Sequence, residues 1–138
     1  MTTISASLSF FLQLAKVQAV TTRKFDSSLG GLGFTDFQIL FHLQEARDEK
    51  LRRIDLADTL GLTASGITRL LAPMEKIGLI KREATEHDAR VSYVKLAPGG
   101  KRKLAEAMED AERIAENFLP ITEKKNVEQA TELLKEIA

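Results

Sequence analysis

Cysteine is absent from this 138-residue chain, and proline and histidine are scarce, with three and two residues. The lack of cysteine excludes disulfides, thiolate metal sites and the sensing of oxidants through a thiol. The scarcity of proline leaves room for long helices. Neither His42 nor His87 has a metal-ligand or nucleophile–base spacing around it. We therefore expect no enzymatic activity, no metal and no cofactor.

Long hydrophobic runs are missing as well. The N-terminus lacks the basic segment and apolar core of a secretion signal, and no apolar run approaches the roughly 20 residues that span a bilayer. Apolar residues make up 43% of the chain and charged residues 29%, as in ordinary globular proteins. These features predict one cytoplasmic domain that has no membrane partner.

The chain has no excess of either charge, because 20 basic residues balance 20 acidic ones. The charges are nevertheless unevenly distributed. The net charge is −1 for residues 1–49, +6 for residues 50–103 and −5 for residues 104–138. Salt screens charges beyond roughly 8 Å, so DNA phosphates respond to local charge. The basic middle can therefore bind DNA on a neutral chain; the alternative is a chance cluster of solvated cations.

Hydrophobic spacing predicts long helices at both ends of the chain. The first, from about residue 3 to residue 28, carries two apolar stripes and should be buried on two sides. Either a partner subunit or its own domain could cover the second side. Near the C-terminus, Pro98 starts a long helix at its first turn, and Pro120 separates it from a final helix. The apolar seam of the long helix, suited to packing along another helix, consists of Leu104, Met108, Ala111, Ala115 and Phe118.

Shorter elements are predicted between these flanks. Thr35, with Gln38 three residues later, matches a capping box at the start of a second helix. Residues 51–53 are too few for more than a strand stub.

A short helix, a glycine-containing turn and a longer helix then follow one another, which is the order of a helix-turn-helix. The short helix covers residues 54–60 and the longer one residues 64–77. Gly61 suits the left-handed backbone that ends a helix, and Thr63 is a predicted N-cap.

The start of the longer helix has the residues that a DNA-reading helix needs. Small side chains admit it into a groove about 12 Å wide, and an arginine can bind guanine through two parallel hydrogen bonds. Hydroxyls and N-terminal amides suit phosphate. Pro73 should bend the rear half of the helix, so no base contact is assigned beyond Ala72. The predicted contacts from this helix are Thr63, Ala64, Ser65, Thr68 and Arg69.

Two short β-type runs, residues 79–85 and 91–97, are joined by a charged hairpin at residues 86–90. Such a wing can reach the adjacent minor groove, where Arg90 would meet concentrated negative potential. Asp88 is expected to orient Arg82 or Arg90 by a charge-assisted hydrogen bond, the alternative being an ordinary exposed pair. His87 faces either phosphate or solvent. The sequence thus predicts a mainly α fold with a small β wing.

This arrangement resembles the MarR family of winged-helix transcriptional regulators over roughly residues 32–104. The most specific part is Asp88-Ala89-Arg90 following Gly78-Leu79-Ile80-Lys81-Arg82. The other matching segments are Phe34-Thr35 with Gln38, Asp55-Leu56-Ala57 before Gly61-Leu62, Ile67-Thr68-Arg69, and Val94-Lys95-Leu96 with Gly100.

The resemblance implies a homodimer that binds a pseudo-palindromic operator on double-stranded DNA, in most members as a repressor. It divides the chain into a dimerisation helix at 1–33, a winged helix-turn-helix lobe at 34–97 and dimerisation helices at 98–138. Many members release DNA on binding a small aromatic or anionic molecule, which makes such a molecule a candidate effector. Arg52 and Arg53 stand where the family often has a small cap, so we expect them to contact phosphate.

The alternative is a winged helix that has become a protein-binding module without DNA affinity. Such a module need not retain Arg69, Arg82 and Arg90 together. A DNA binder without an effector fits the sequence equally well. The ligand-binding residues are not identified: Phe10, Phe11, Phe34 and Phe41 could line a cleft, but aromatic residues at helical spacing are usually core.

Overall fold

The computed structural model describes residues 2–84 and 92–138. Its α-helices are α1 (Ala6–Asp26), α2 (Phe34–Glu45), α3 (Arg53–Leu60), α4 (Ala64–Lys76), α5 (Pro98–Phe118) and α6 (Lys124–Ile137). Its strands are β1 (Lys50–Arg52), β2 (Ile80–Ala84) and β3 (Ser92–Leu96). Single 3₁₀ turns occupy Arg47–Glu49 and Ile121–Glu123. The prediction of a mainly α chain with a small β-sheet is confirmed.

The sheet has β3 in its centre, antiparallel to β1 on one side and to β2 on the other. Val94 and Leu96 of β3 are buried, whereas Tyr93 and Lys95, which alternate with them, are only half-buried. β1 pairs all three of its residues with β3, so the predicted strand stub is a full member of the sheet. The sheet therefore has one apolar and one polar face.

One apolar core joins the lobe formed by α2 to β3 with residues 98–114 of α5. Leu40, Leu56 and Ile67 from α2, α3 and α4 are fully buried, and so are Leu104 and Ile114 from α5. Each large aliphatic side chain buried in this way contributes roughly 1.5–3 kcal/mol. Of the predicted seam of α5, Leu104 and Ala111 are buried on this lobe, whereas Ala115 and Phe118 are exposed.

The first helix packs differently from the core helices, because α1 buries none of its residues. Leu8, Phe11 and Leu12 are 48%, 47% and 58% exposed. The alternative in which this helix runs through the middle of its own domain is therefore wrong. None of the described helices is both long enough and apolar enough to span a bilayer.

The start of α2 corrects one local prediction. The N-cap is Gly33, which has no side chain, and Thr35 lies inside the helix. A carboxylate oxygen of Asp26, at the end of α1, accepts a hydrogen bond from the Phe34 N–H at 2.7 Å. The capping box at Thr35 and Gln38 is therefore wrong. An acidic side chain suits this position because the helix N-terminus carries partial positive charge.

The first turn of α5 rests on the backbone that precedes β2. A Cβ at Gly100 would lie 2.0 Å from the carbonyl oxygen of Leu79, and one at Gly99 would lie 2.8 Å from that of Gly78. The same Leu79 oxygen accepts a hydrogen bond from the Ala97 N–H at 3.1 Å. Glycine is therefore required where α5 joins the base of the wing.

Candidate nucleic-acid interface

α3 and α4 are joined by the tight turn that the helix-turn-helix requires. Gly61 adopts the left-handed conformation (φ 69°), and its N–H donates to the Asp58 carbonyl at 3.1 Å. The Leu62 N–H donates to the Ala57 carbonyl at 2.8 Å, which completes a Schellman motif. The predicted helix-turn-helix is confirmed.

α4 begins at the predicted cap and ends with the same motif that ends α3. Thr63 Oγ1 accepts a hydrogen bond from the Gly66 N–H at 3.0 Å. Gly78 (φ 82°) and Leu79 close the other end with bonds to the carbonyls of Glu75 and Met74. The helix is continuous over Pro73, whose bend remains a prediction.

The two faces of α4 differ in exposure as the sequence predicts. Ile67, Leu71 and Met74 are buried in the core. The opposite face is exposed at each position of the predicted contact surface and at one further small residue. These exposed residues are Ala64, Ser65, Thr68, Arg69 and Ala72, with Thr63 exposed just before the helix. The face contains no bulky side chain before Arg69.

The Thr68 hydroxyl is already engaged within the protein. It donates to the Ala64 carbonyl at 2.9 Å and accepts from the Arg53 guanidinium at 3.2 Å. A hydroxyl has one donor and two acceptor sites. Thr68 can therefore offer DNA its methyl group and one lone pair, but its proton is committed. The predicted contact of Thr68 with DNA can therefore involve only its methyl group and that lone pair.

Arg53 lies at the first position of α3 and reaches both α4 and the sheet. Besides its bond to Thr68, it donates from the second terminal nitrogen to Ser92 Oγ at 3.4 Å. The residue is half-buried in a cleft whose walls include Leu71 and Val94. These two hydrogen bonds use two of the N–H donors of the guanidinium, so the predicted contact with phosphate would have to use the others.

Arg52 is engaged in a two-pronged ion pair. Its Nε and one terminal nitrogen donate to the two carboxylate oxygens of Asp55 at 2.8 and 3.2 Å. This hydrogen bond, together with the charge of Asp55, raises the pKa of the Arg52 guanidinium. Half of the side chain remains exposed, so the predicted phosphate contact stays open to test.

The predicted wing lies largely outside the described residues. His87, Asp88 and Arg90 all fall there, so their predicted DNA contacts remain predictions. Arg82 lies on β2 and approaches Glu75 of α4, with its terminal nitrogen 3.4 Å from a carboxylate oxygen. This ion pair therefore holds β2, the part of the wing that the structure describes before the loop, beside α4.

A charged network that the sequence reasoning missed covers the polar face of the sheet. Lys50 Nζ lies 2.9 Å from one carboxylate oxygen of Glu83, and Lys95 Nζ lies 3.7 Å from the other. Lys50 also sits 5.0 Å from the centre of the Tyr93 ring. The hydrogen bond from Lys50 lowers the pKa of Glu83 and raises that of Lys50. The available signal was the presence of a charged residue in each of the three strands.

The aromatic residues considered for a ligand cleft have separate contacts. Phe34 stacks on Phe25 at 4.2 Å between ring centres, and Phe10 meets Phe11 edge-on at 5.5 Å. Phe41 is half-buried against the core and meets the ring of His42 edge-on. His42 is half-buried, and burial lowers its pKa.

The arrangement suits binding to a duplex. A capped helix end, an exposed face of small residues with one arginine, and neighbouring cations on β2 form a surface that phosphate and base edges can approach. Within residues 2–84 and 92–138, no cluster of histidine, aspartate and glutamate has the geometry of a metal site. The fold and this surface define a winged helix-turn-helix protein.

Known proteins share this architecture. The MarR family model matches residues 30–91. The crystal structure of the transcriptional regulator BldR from Sulfolobus solfataricus is 30% identical, with a TM-score of 0.85 over 99% of this chain and 97% of that chain. Sco3205, a MarR family regulator from Streptomyces coelicolor solved in complex with DNA, is 19% identical, with a TM-score of 0.79 over 99% and 90% of the two chains.

Curated relatives that match in sequence are also transcriptional regulators. The HTH-type transcriptional regulator MhqR of Bacillus subtilis is 27% identical over 107 residues, which cover 78% of this chain and 72% of MhqR. The chain spans 61% of the length of two further curated relatives. The chain belongs to the MarR family of winged-helix transcriptional regulators, a family of DNA-binding regulators and not of enzymes.

Proposed function

We propose that the protein is a homodimer that binds a pseudo-palindromic operator sequence-specifically and acts as a repressor. The observation that carries this proposal is the exposed, capped start of α4, which presents small residues and then Arg69. Sco3205, which shares the fold, has been crystallised with DNA.

The recognition surface assigns different tasks to its residues. Thr63 and Ser65, with the amides of the helix end, would position a phosphate. Arg69, one turn further, would read a base edge in the major groove. Arg82 and the wing arginine Arg90 would approach the backbone and the neighbouring minor groove.

Exposed apolar side chains support a dimer. Among the described residues, most of the large hydrophobic side chains that are exposed lie at residues 4–20 or 118–137. The three others are Ile54, Leu62 and Ile77. Extensive exposed apolar surface marks protein interfaces, because water does not solvate it favourably. A second copy that packs its own α1, α5 end and α6 here would cover both surfaces.

The dimer would set the spacing of the two recognition helices. Helix-turn-helix dimers read half-sites one helical turn apart, about 34–36 Å. Light scattering should therefore give twice the 15.3 kDa subunit mass, and fluorescence anisotropy should show tight binding to a palindromic duplex selected by the protein from a random library. A monomer, or the absence of binding to any duplex, would favour the protein-binding alternative.

A groove between α1 and α5, which shares Val20 and Phe118 with the apolar surface proposed for the dimer, offers a place for an effector. It is lined by Val20, Lys24, Ile114, Asn117 and Phe118. Apolar walls with one cation suit a small aromatic anion. Benzoate added to the protein–DNA complex tests this: release that is weakened by Lys24→Gln supports the groove, and release that is unaffected by Lys24→Gln counts against it.

A further inference from the structure

We infer that Arg53 is a positioning residue, which fixes the recognition helix α4 relative to the wing strand β3. The inference rests on the proposed DNA-binding function. It assigns to Arg53 a role different from the phosphate contact that the sequence suggests.

The contacts of Arg53 join two elements that must reach different grooves. One terminal nitrogen donates to Thr68 Oγ1 on α4 at 3.2 Å, and the other donates to Ser92 Oγ on β3 at 3.4 Å. Thr68 directly precedes the predicted base-reading Arg69, and Ser92 is the first residue of the strand that follows the wing loop. The guanidinium of Arg53 therefore contacts both α4, which is proposed to enter the major groove, and β3, which adjoins the wing.

The backbone of Arg53 gives this link a firm base. The preceding residue, Arg52, pairs with Tyr93 across the sheet, so the start of α3 is tied to β3. The side chain then lines the cleft between α4 and the sheet, beside Leu71 and Val94. Because backbone and side chain are both held, the guanidinium can transmit the position of the sheet to α4.

Arginine has the chemistry that this role requires. Its guanidinium is rigid and planar and presents donors in two directions at a fixed angle, whereas lysine offers a compact charge on a flexible stem. Two donors of Arg53 are already directed at hydroxyls within the protein. Through these bonds the guanidinium acts on Thr68 and Ser92. Its other N–H donors could meet phosphate without breaking them, and the salt dependence of binding distinguishes that case.

The first test compares Arg53→Gln with the wild type on the duplex that the wild-type protein selects from a random library. Arg47→Gln is the matched control, since Arg47 is an exposed arginine in the turn before β1. A direct phosphate contact contributes about one unit to the slope of log affinity against log salt. Between about 50 and 200 mM salt, Arg53→Gln should weaken binding about tenfold with an unchanged slope. Loss of about one unit of slope per subunit, or unchanged affinity, would overturn the inference.

The second test uses Ser92→Ala, which removes one hydroxyl and leaves the core unaltered. Ser92→Ala should weaken binding several-fold, and the double variant should bind no more weakly than Arg53→Gln alone, because both changes break the same link. Fully additive losses would count against the link. This arm stays informative if Arg53→Gln folds poorly.

The third test needs no DNA. Residual dipolar couplings of backbone amides in the free protein report how α4 and β3 are oriented. We expect Arg53→Gln to alter this relative orientation and Arg47→Gln to leave it unchanged; identical couplings in all three proteins would contradict the positioning role. Failure of the wild type to bind any duplex would instead refute the proposed function, so the two failures are distinguishable.

Discussion

At the scale of single residues, the DNA-binding surface depends on a few side chains whose bonding capacity differs. Thr63 caps α4, and the Thr68 hydroxyl donates its hydrogen bond to the Ala64 carbonyl. Arg69 is the one predicted contact on α4 with a charged side chain, and it lies on the exposed face. Discrimination between bases from α4 should therefore depend mainly on Arg69.

Arg69→Ala tests this dependence. A bidentate arginine–guanine contact is worth roughly 1–3 kcal/mol of discrimination. The variant should lose that amount for the selected duplex and much less for a scrambled one, as measured by anisotropy titration. Arg47→Ala is the control for the loss of a positive charge. Equal losses on both duplexes would mean that Arg69 contacts phosphate and reads no base.

Gly100→Ala tests the contact between α5 and the base of the wing. The added Cβ would lie 2.0 Å from the Leu79 carbonyl oxygen, which is backbone and cannot swing aside. Overpacking of this kind should lower the free energy of unfolding by about 3 kcal/mol or more. Urea unfolding followed by circular dichroism measures it.

Gly33→Ala is the matched control for that experiment. A Cβ there meets its nearest atoms at 3.8 and 3.9 Å, and its backbone conformation suits any residue. Its effect should be a few tenths of a kcal/mol to about 1 kcal/mol, as for an alanine at an N-cap. Similar stabilities for the two variants would show that α5 can shift away from Leu79.

At the scale of elements, the joint between α1 and α2 links the predicted dimerisation helix to the DNA-binding lobe. Asp26 of α1 caps α2, and Lys103 of α5 donates to the Gly30 carbonyl in the intervening loop at 2.7 Å. Phe25 and Phe34 stack across the same joint. A movement of α1 would therefore displace the first turn of α2 or break these contacts.

The pH dependence of stability should report on this joint. Burial, and after it the charge of Asp26, raises the pKa of Asp36 above its ordinary value of 3.8. Between the ordinary and the raised pKa, the folded state keeps a proton that the unfolded chain releases. The free energy of unfolding therefore falls as pH rises through this window, and the penalty persists at higher pH.

Asp36→Asn removes the group that titrates. Its Tm relative to the wild type should rise as pH increases from about 3 to 7, because only the wild type then carries the half-buried charge. Asp26→Asn should keep the cap to Phe34 while removing the charge near Asp36, so part of the same pH dependence should disappear. Parallel Tm profiles for wild type and Asp36→Asn would contradict this account.

Sequence reasoning located the elements well because their signals are local. Thr63 and Gly61 each act on a backbone within a few residues, and Pro98 begins α5 as predicted. The missed features depend on residues distant in sequence. The true cap of α2 comes from Asp26, eight residues before Phe34, and Gly100 is required because Leu79 lies against it.

The site was predictable in its outline but not in its internal bonds. The spacing placed Thr68 and Arg69 on an exposed face, which the structure confirms. The spacing could not show that Arg53 would reach Thr68 and Ser92, since these lie 15 and 39 residues away. Such bonds depend on how α3, α4 and the sheet pack together.

At the scale of the whole molecule, charge and apolar surface are segregated. The basic residues are concentrated at 50–103, around the recognition helix and sheet, whereas residues 104–138 carry a net charge of −5. The exposed apolar side chains lie mainly on α1, at the end of α5 and on α6. One subunit therefore has a cationic surface suited to DNA and a separate apolar surface suited to a second copy.

Phe11→Glu tests whether the apolar surface holds the dimer that DNA binding needs. Phe11 lies on α1 and is 47% exposed in the subunit. A glutamate there would have to be buried without a partner in a dimer, which is strongly unfavourable. Light scattering should fall towards the 15.3 kDa subunit mass, and affinity for a palindromic duplex should drop far more than affinity for a single half-site. Gln13→Glu, which adds the same charge at an exposed polar position of α1, should leave both unchanged. A Phe11→Glu protein that remains dimeric would place the interface elsewhere, and a monomer with undiminished affinity for the palindrome would separate dimerisation from operator binding.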